Sequence, residues 1–105
     1  MREITVRELK NKIDKKEKFQ LIDVREPYEY EIANLKGELI PMGEIMTNVD
    51  KISKEMDVII YCRSGKRSAS VVDALEREFG FSNVFNLKGG ILAYSDEIDS
   101  SLTKY

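Results

Sequence analysis

Apolar and polar positions change period several times along this chain, and each change marks an element. Phe19-Gln20-Leu21-Ile22-Asp23-Val24 reads as a buried strand, and Asp57 to Tyr61, dominated by β-branched residues, is the strongest strand signal. Glu38-Leu39-Ile40 is a short strand stopped by Pro41, and Asn83 to Leu87 is another. Between them the spacing turns helical. Thr5-Val6-Arg7-Glu8 fits a capping box, with Thr5 as N-cap, Glu8 at the third helical position, and Ile4 and Leu9 placed to close a hydrophobic staple, so a short helix runs to about Ile13. Pro27 suits the first turn of a helix over Pro27 to Ile32. Met42, Ile45, Met46, Val49, Ile52 and Met56 recur at helical spacing, which makes the methionines core residues. A helix from Ser68 to Phe79 buries Val72, Leu75 and Phe79 on one face and ends at Gly80 in the C′ position. Gly89-Gly90 opens a last helix carrying Ile91, Tyr94 and Ile98.

Strands alternating with helices through short connections predict an α/β fold, a parallel sheet with helices on both faces. At 105 residues the expectation is a single domain over 1–105. A net charge of −2 offers no general attraction for nucleic acid, so any anion site is local. The first residues lack the apolar stretch of a signal peptide, and no run reaches membrane-spanning length. No membrane or nucleic-acid partner is therefore expected. With one cysteine there is no internal disulfide, and a lone reactive thiol fits a reducing, cytoplasmic setting.

That cysteine, Cys62, carries the chemistry. It closes the strongest strand and opens the turn Cys62-Arg63-Ser64-Gly65-Lys66-Arg67-Ser68, which leads into a helix. In α/β sheets ligands bind beyond the carboxyl ends of the strands. Free N–H groups at the helix start, the helix dipole, and Arg63, Lys66 and Arg67 all favour negative charge on the sulfur and would hold an anionic substrate. Gly65 permits a sharply curved backbone, and Ser64 and Ser68 can donate from their hydroxyls. The bland alternatives are a buried structural thiol, solvated surface cations, and an ordinary Asp23–Arg25 ion pair. Without histidine, a Cys-His or Ser-His-Asp arrangement is excluded, and a metal site has no supporting ligands. No Cys-x-x-Cys is present, and a Walker A loop fails because Ile60 stands at its first Gly and Arg67 at its Ser/Thr. A tyrosine-phosphatase loop needs Arg six positions after Cys, where this chain has Ser68.

The chain resembles the rhodanese (thiosulfate sulfurtransferase) family in its small single-domain form. The matching stretches are Leu21-Ile22-Asp23-Val24-Arg25-Glu26-Pro27, Gly37 to Pro41, Cys62 to Ser68, and Asn86-Leu87-Lys88-Gly89-Gly90. The resemblance implies a three-layer fold with a five-stranded, mostly parallel sheet and a six-residue active loop, Cys62 to Arg67. Members with that loop length handle sulfane sulfur, whereas relatives with a seven-residue loop act on phosphate or arsenate. It implies no cofactor, a Cys62 persulfide, a small anionic sulfur donor such as thiosulfate, and an external thiol or protein acceptor, with cyanide serving in assays. Arg25 matches a family arginine near the loop and is a possible contact for the donor. Asn34, Glu38 and Tyr94 stand where many members carry His, Ala and Trp. A phosphatase or arsenate reductase on the same fold, and a non-catalytic interaction module, remain the alternatives.

Overall fold

The computed structural model describes residues 1–105. Five strands, β1 (Glu3–Ile4), β2 (Gln20–Asp23), β3 (Glu38–Leu39), β4 (Val58–Tyr61) and β5 (Val84–Leu87), form one sheet in the order β1-β5-β4-β2-β3, and every pairing is parallel. The helices are α1 (Val6–Asp14), α2 (Pro27–Ile32), α3 (Lys66–Phe79) and α4 (Gly90–Glu97). β4 lies at the centre, in register with β2 through Ile22↔Ile60 and with β5 through Ile60↔Asn86.

Two apolar clusters cover the two faces of the sheet. Alternation along β4 divides its side chains between them. Val58 and Ile60, followed by Cys62, join Val71, Val72 and Leu75 of α3, whereas Ile59 and Tyr61 join Leu9 of α1 and Ile91 and Tyr94 of α4. The thiol is therefore delivered to the α3 face by strand periodicity alone. Because β4 is covered on both faces, all four of its residues are buried, which explains its unbroken apolar run.

The capping box at Thr5 forms as the sequence predicts, with Glu8 N–H donating to Thr5 Oγ1 at 3.1 Å and Thr5 N–H to Glu8 Oε1 at 2.9 Å. Gly80 ends α3 in the left-handed region at φ 70°. The segment after Pro41 departs from the expected helix. It forms two 3₁₀ turns, Met42–Glu44 and Met46–Lys51, broken at Asn48 (φ −127°). Asn48 Nδ2 and Thr47 Oγ1 both donate to the Glu44 carbonyl, at 2.7 and 3.1 Å, and so divert the acceptor a helical ladder would use. Only Ile45 and Ile52 are fully buried there. Met42, Met46 and Met56 are partly exposed rather than core. Phe79 also faces outward, and Phe81, beyond the Gly80 turn, enters the core in its place.

One close approach positions the loop. Gly90, at φ +60°, lies against the backbone after β4, and a Cβ there would sit 2.5 Å from the carbonyl oxygens of both Cys62 and Arg63. Ile91 and Leu92 N–H donate to those same two carbonyls, at 3.0 and 3.1 Å, so the start of α4 caps itself on the loop. Gly90→Ala should cost more than the roughly 1–3 kcal/mol of its strained φ, because the loop backbone must also move. Gly43→Ala, with negative φ and nothing within 4 Å of the added methyl, should change stability by less than about 1 kcal/mol. Denaturant unfolding of both variants measures the difference, and equal effects would contradict this packing.

Candidate active site

Cys62 follows β4 directly and is 1% exposed. Its Sγ accepts from Gly65 N–H at 3.1 Å, Ser68 N–H at 3.4 Å and the Ser68 hydroxyl at 3.4 Å. The turn can curl this tightly because Gly65 adopts φ +97°. α3 begins at Lys66, two residues earlier than the sequence spacing suggests, so the end of the Cys62–Arg67 loop is already the helix's first turn. Sγ thus receives both the unpaired N–H groups and the positive dipole end of a 14-residue helix.

Ser68 is held from behind by Asn86 of β5. Its hydroxyl lies 2.5 Å from Asn86 Oδ1, and Asn86 Nδ2 donates to the Gly65 carbonyl at 3.2 Å. One side chain thereby fixes both the turn and the helix start. The Ser68 proton has two acceptors, Asn86 Oδ1 and Cys62 Sγ, and can serve only one at a time.

The cations of the loop occupy different places. Lys66 and Ser64 are exposed. Arg63 is half-buried, its guanidinium 5.0 Å from the centroid of the Tyr105 ring. Arg67 makes a bidentate pair with Glu29 of α2, Nη1 to Oε1 at 2.8 Å and Nη2 to Oε2 at 2.9 Å. Glu29 is nearly fully buried and also accepts from Glu26 N–H at 3.1 Å and the Tyr105 hydroxyl at 2.8 Å. Arg67, reinforced by those two bonds, outweighs the opposing effect of burial and holds the Glu29 carboxyl down to about 2.

Arg25 is fully buried. Its Nε and Nη2 pair with the Asp23 carboxylate, Nη2 also donates to the Ala33 carbonyl at 2.7 Å, and Nη1 donates to the Tyr105 hydroxyl at 2.6 Å and the Glu29 carbonyl at 3.4 Å. The guanidinium lies between the Tyr61 and Tyr105 rings, 5.6 and 5.7 Å from their centroids. Burial alone would disfavour its charge, yet Asp23 and Tyr105 more than offset that and strengthen its protonation. No N–H of Arg25 remains to meet a donor anion, and its place is that of a structural ion pair.

Glu29 and Tyr105 escaped the sequence reading, and Asn86 entered it only within the stretch Asn86 to Gly90, without a role at the site. Asn86 alone left a signal, as a polar residue inside an otherwise apolar strand.

A cysteine at the carboxyl end of a central parallel strand, seated in the N–H groups of the following helix, defines an α/β protein with a cysteine-centred strand-to-helix loop. Within that class the chain belongs to the rhodanese-like domain family, whose sequence profile matches residues 5–97. It is similar to the crystal structure of a rhodanese-like domain protein from Staphylococcus aureus, with TM-score 0.82 and 36% identity over 93% of this chain and 95% of that one. Among curated proteins it is 35% identical over 97% of its length to the "Probable adenylyltransferase/sulfurtransferase MoeZ" of Mycobacterium tuberculosis. It is 36% identical over 83% of its length to the "Adenylyltransferase and sulfurtransferase UBA4" of Eremothecium gossypii. It spans only 26% and 22% of those two proteins.

Two measurements test the charge network. Arg25→Met leaves Asp23 buried without its partner and should cost about 3–5 kcal/mol in denaturant unfolding. A fully stable Arg25→Met protein with a raised KM for an anionic donor would instead assign Arg25 to substrate. Glu29 gives a pH signature. Its carboxyl titrates near its ordinary 4.5 when unfolded and near 2 when folded, so its stabilisation is complete above about 4.5 and lost as pH falls towards 2. The difference between wild-type and Glu29→Gln unfolding free energies should therefore shrink across that interval, and a difference independent of pH would refute the assignment.

Proposed function

We propose that the chain is a sulfurtransferase that carries sulfane sulfur on Cys62. The observation that supports this most is the pair of backbone donors on Sγ, Gly65 N–H and Ser68 N–H, with the Ser68 hydroxyl beside them and shared with Asn86 Oδ1. Such fixed donors stabilise negative charge on a nucleophilic sulfur without reorganising. In the first half-reaction the Cys62 thiolate attacks the outer sulfur of thiosulfate. The new S–S bond forms as the S–S bond of thiosulfate breaks, and sulfite leaves with the electron pair. In the second, a thiophilic acceptor, a thiolate in the cell or cyanide in an assay, takes the outer sulfur and Cys62 thiolate returns. A persulfide donor enters by the same attack. With no second cysteine in the chain, the acceptor is external. The enclosure of Sγ favours a substrate that presents a single terminal atom.

The position of Arg67 argues against phosphate or arsenate chemistry. A phosphate or arsenate enclosed by the loop would have to take the guanidinium from a buried carboxylate that already binds it in bidentate fashion, whereas thiosulfate needs to present only its outer sulfur to Sγ. Charge for a donor anion is left to the backbone N–H groups, Arg63 and Lys66.

Incubation with thiosulfate should add one sulfur atom to Cys62 by mass spectrometry, and cyanide should then release thiocyanate. Cys62→Ser should abolish both signals. Ser68→Ala, which removes the hydroxyl shared by Sγ and Asn86 and so the tie that holds the helix start, should lower the loading rate by up to about 10-fold, on the scale of a lost anion-stabilising hydrogen bond. Turnover of an aryl phosphate without sulfur loading would overturn the proposal, as would a fully folded protein that loads sulfur from neither thiosulfate nor a small-molecule persulfide.

A further inference from the structure

Tyr105 lies on the segment after α4, far from Cys62 in sequence, yet it touches groups tied to both ends of the active loop. Its ring faces the Arg63 guanidinium at 5.0 Å. Its hydroxyl donates to Glu29 Oε2 at 2.8 Å, on the carboxylate that binds Arg67, and accepts from Arg25 Nη1 at 2.6 Å. A phenol bonded to two buried charges has a fixed ring plane. Arg63, by contrast, is a long side chain with many rotamers that makes no hydrogen bond of its own. The rigid partner therefore orders the flexible one. The other two loop cations are not placed this way, since Arg67 is neutralised by Glu29 and Lys66 extends into solvent.

We propose that Tyr105 is a positioning residue that holds the side chain of Arg63, the residue after Cys62, in one place, so that one loop cation is already ordered when an anionic sulfur donor arrives. The identity of the anion rests on the sulfur-transfer reading; the ordering of Arg63 does not. Pre-ordering improves binding by sparing the side chain its loss of rotamer freedom on contact with the anion. An exposed cation–ring contact corresponds to about a 3-fold effect on affinity. The hydroxyl and the ring have separable roles: the hydroxyl anchors Tyr105, and the ring holds Arg63.

The test uses the full chain carrying Cys62→Ser, which binds donor without turnover, labelled with nitrogen-15. Relaxation of the Arg63 Nε–H signal reports its order, and a thiosulfate titration at fixed ionic strength reports affinity. Expected are an ordered Arg63 in the parent, an intermediate order in Tyr105→Phe, which keeps the ring but loses its anchor, a mobile Arg63 in Tyr105→Leu, and thiosulfate binding about 3-fold weaker in Tyr105→Leu and in Arg63→Gln. The double variant should be no weaker than either single one. In the Cys62 protein, Tyr105→Leu should raise KM for thiosulfate about 3-fold at unchanged kcat, a split that a general loss of structure would not give. An Arg63 equally ordered in Tyr105→Leu, or additive losses in the double variant, overturns the proposal. If Tyr105→Leu does not fold, Arg63→Gln decides, because it leaves every hydrogen bond of Tyr105 intact; unchanged thiosulfate affinity in that variant overturns the proposal. A parent that binds no thiosulfate, with a Cys62 protein that loads no sulfur, sinks the sulfur-transfer reading instead. The Arg63 relaxation data then decide the positioning role alone.

Discussion

The architecture around Cys62 depends on keeping buried charge compensated where it is buried. Asp23, Arg25 and Glu29 are all withdrawn from water, and Arg67, partly exposed, completes a set of two anions and two cations. Removing Asp23, Arg25 or Arg67 would strand a buried partner, at a cost greater than the pair itself contributes. The set therefore acts as a bolt between elements distant in the chain. Asp23 ends β2, Arg25 and Glu29 belong to the turn and helix that follow, Arg67 opens α3, and Tyr105 closes the network from the far side. The whole carboxyl end of the sheet, where Cys62 emerges, is fixed by this arrangement.

Compensation there has an electrostatic consequence for the thiol. Asp23 and Arg25 cancel, and so do Glu29 and Arg67 in net charge, although the Arg67 charge is still felt at Cys62. The Cys62 Sγ is met by two oriented backbone N–H groups, with the Ser68 hydroxyl shared between Sγ and Asn86 Oδ1. Their geometry is enforced from two sides. Gly90 admits the loop backbone at a distance no side chain would allow, and Asn86 ties Ser68 to the Gly65 carbonyl.

The sequence reading was strongest where structure is locally encoded. β2, β4, β5, the Thr5 capping box, Pro27–Ile32 and the Gly80 stop all follow from period, β-branched content and capping chemistry. β1 is two residues long, too short for any period to register, and its pairing with β5 comes from the far end of the chain. The segment after Pro41 misled because a 3.6-residue period fits Met42 to Met56 by residue type, while two side chains bonding the Glu44 carbonyl break the ladder. The same divide runs through the site. Cys62, Gly65 and Ser68 are legible because the loop closes on itself within seven residues. Glu29 meets Arg67 across 38 positions and Tyr105 across 76, and nothing in a linear pattern announces such a meeting.

The distribution of cations bears on how such a loop selects its chemistry. A guanidinium aimed into the cup would bind a tetrahedral oxyanion strongly in the ground state, and that favours a reaction in which the whole anion is engulfed. Here the guanidinium of the arginine at the end of the loop is paired with Glu29, and the groups bonded to Sγ are the Gly65 and Ser68 donors. Arg63, half-buried against Tyr105, and the exposed Lys66 are the loop cations without a carboxylate partner. That division suits a substrate whose charged part stays outside while one terminal atom enters. It also suits an intermediate in which the inner sulfur keeps its contacts with Gly65 and Ser68 while the outer sulfur faces an acceptor too large to enter the loop.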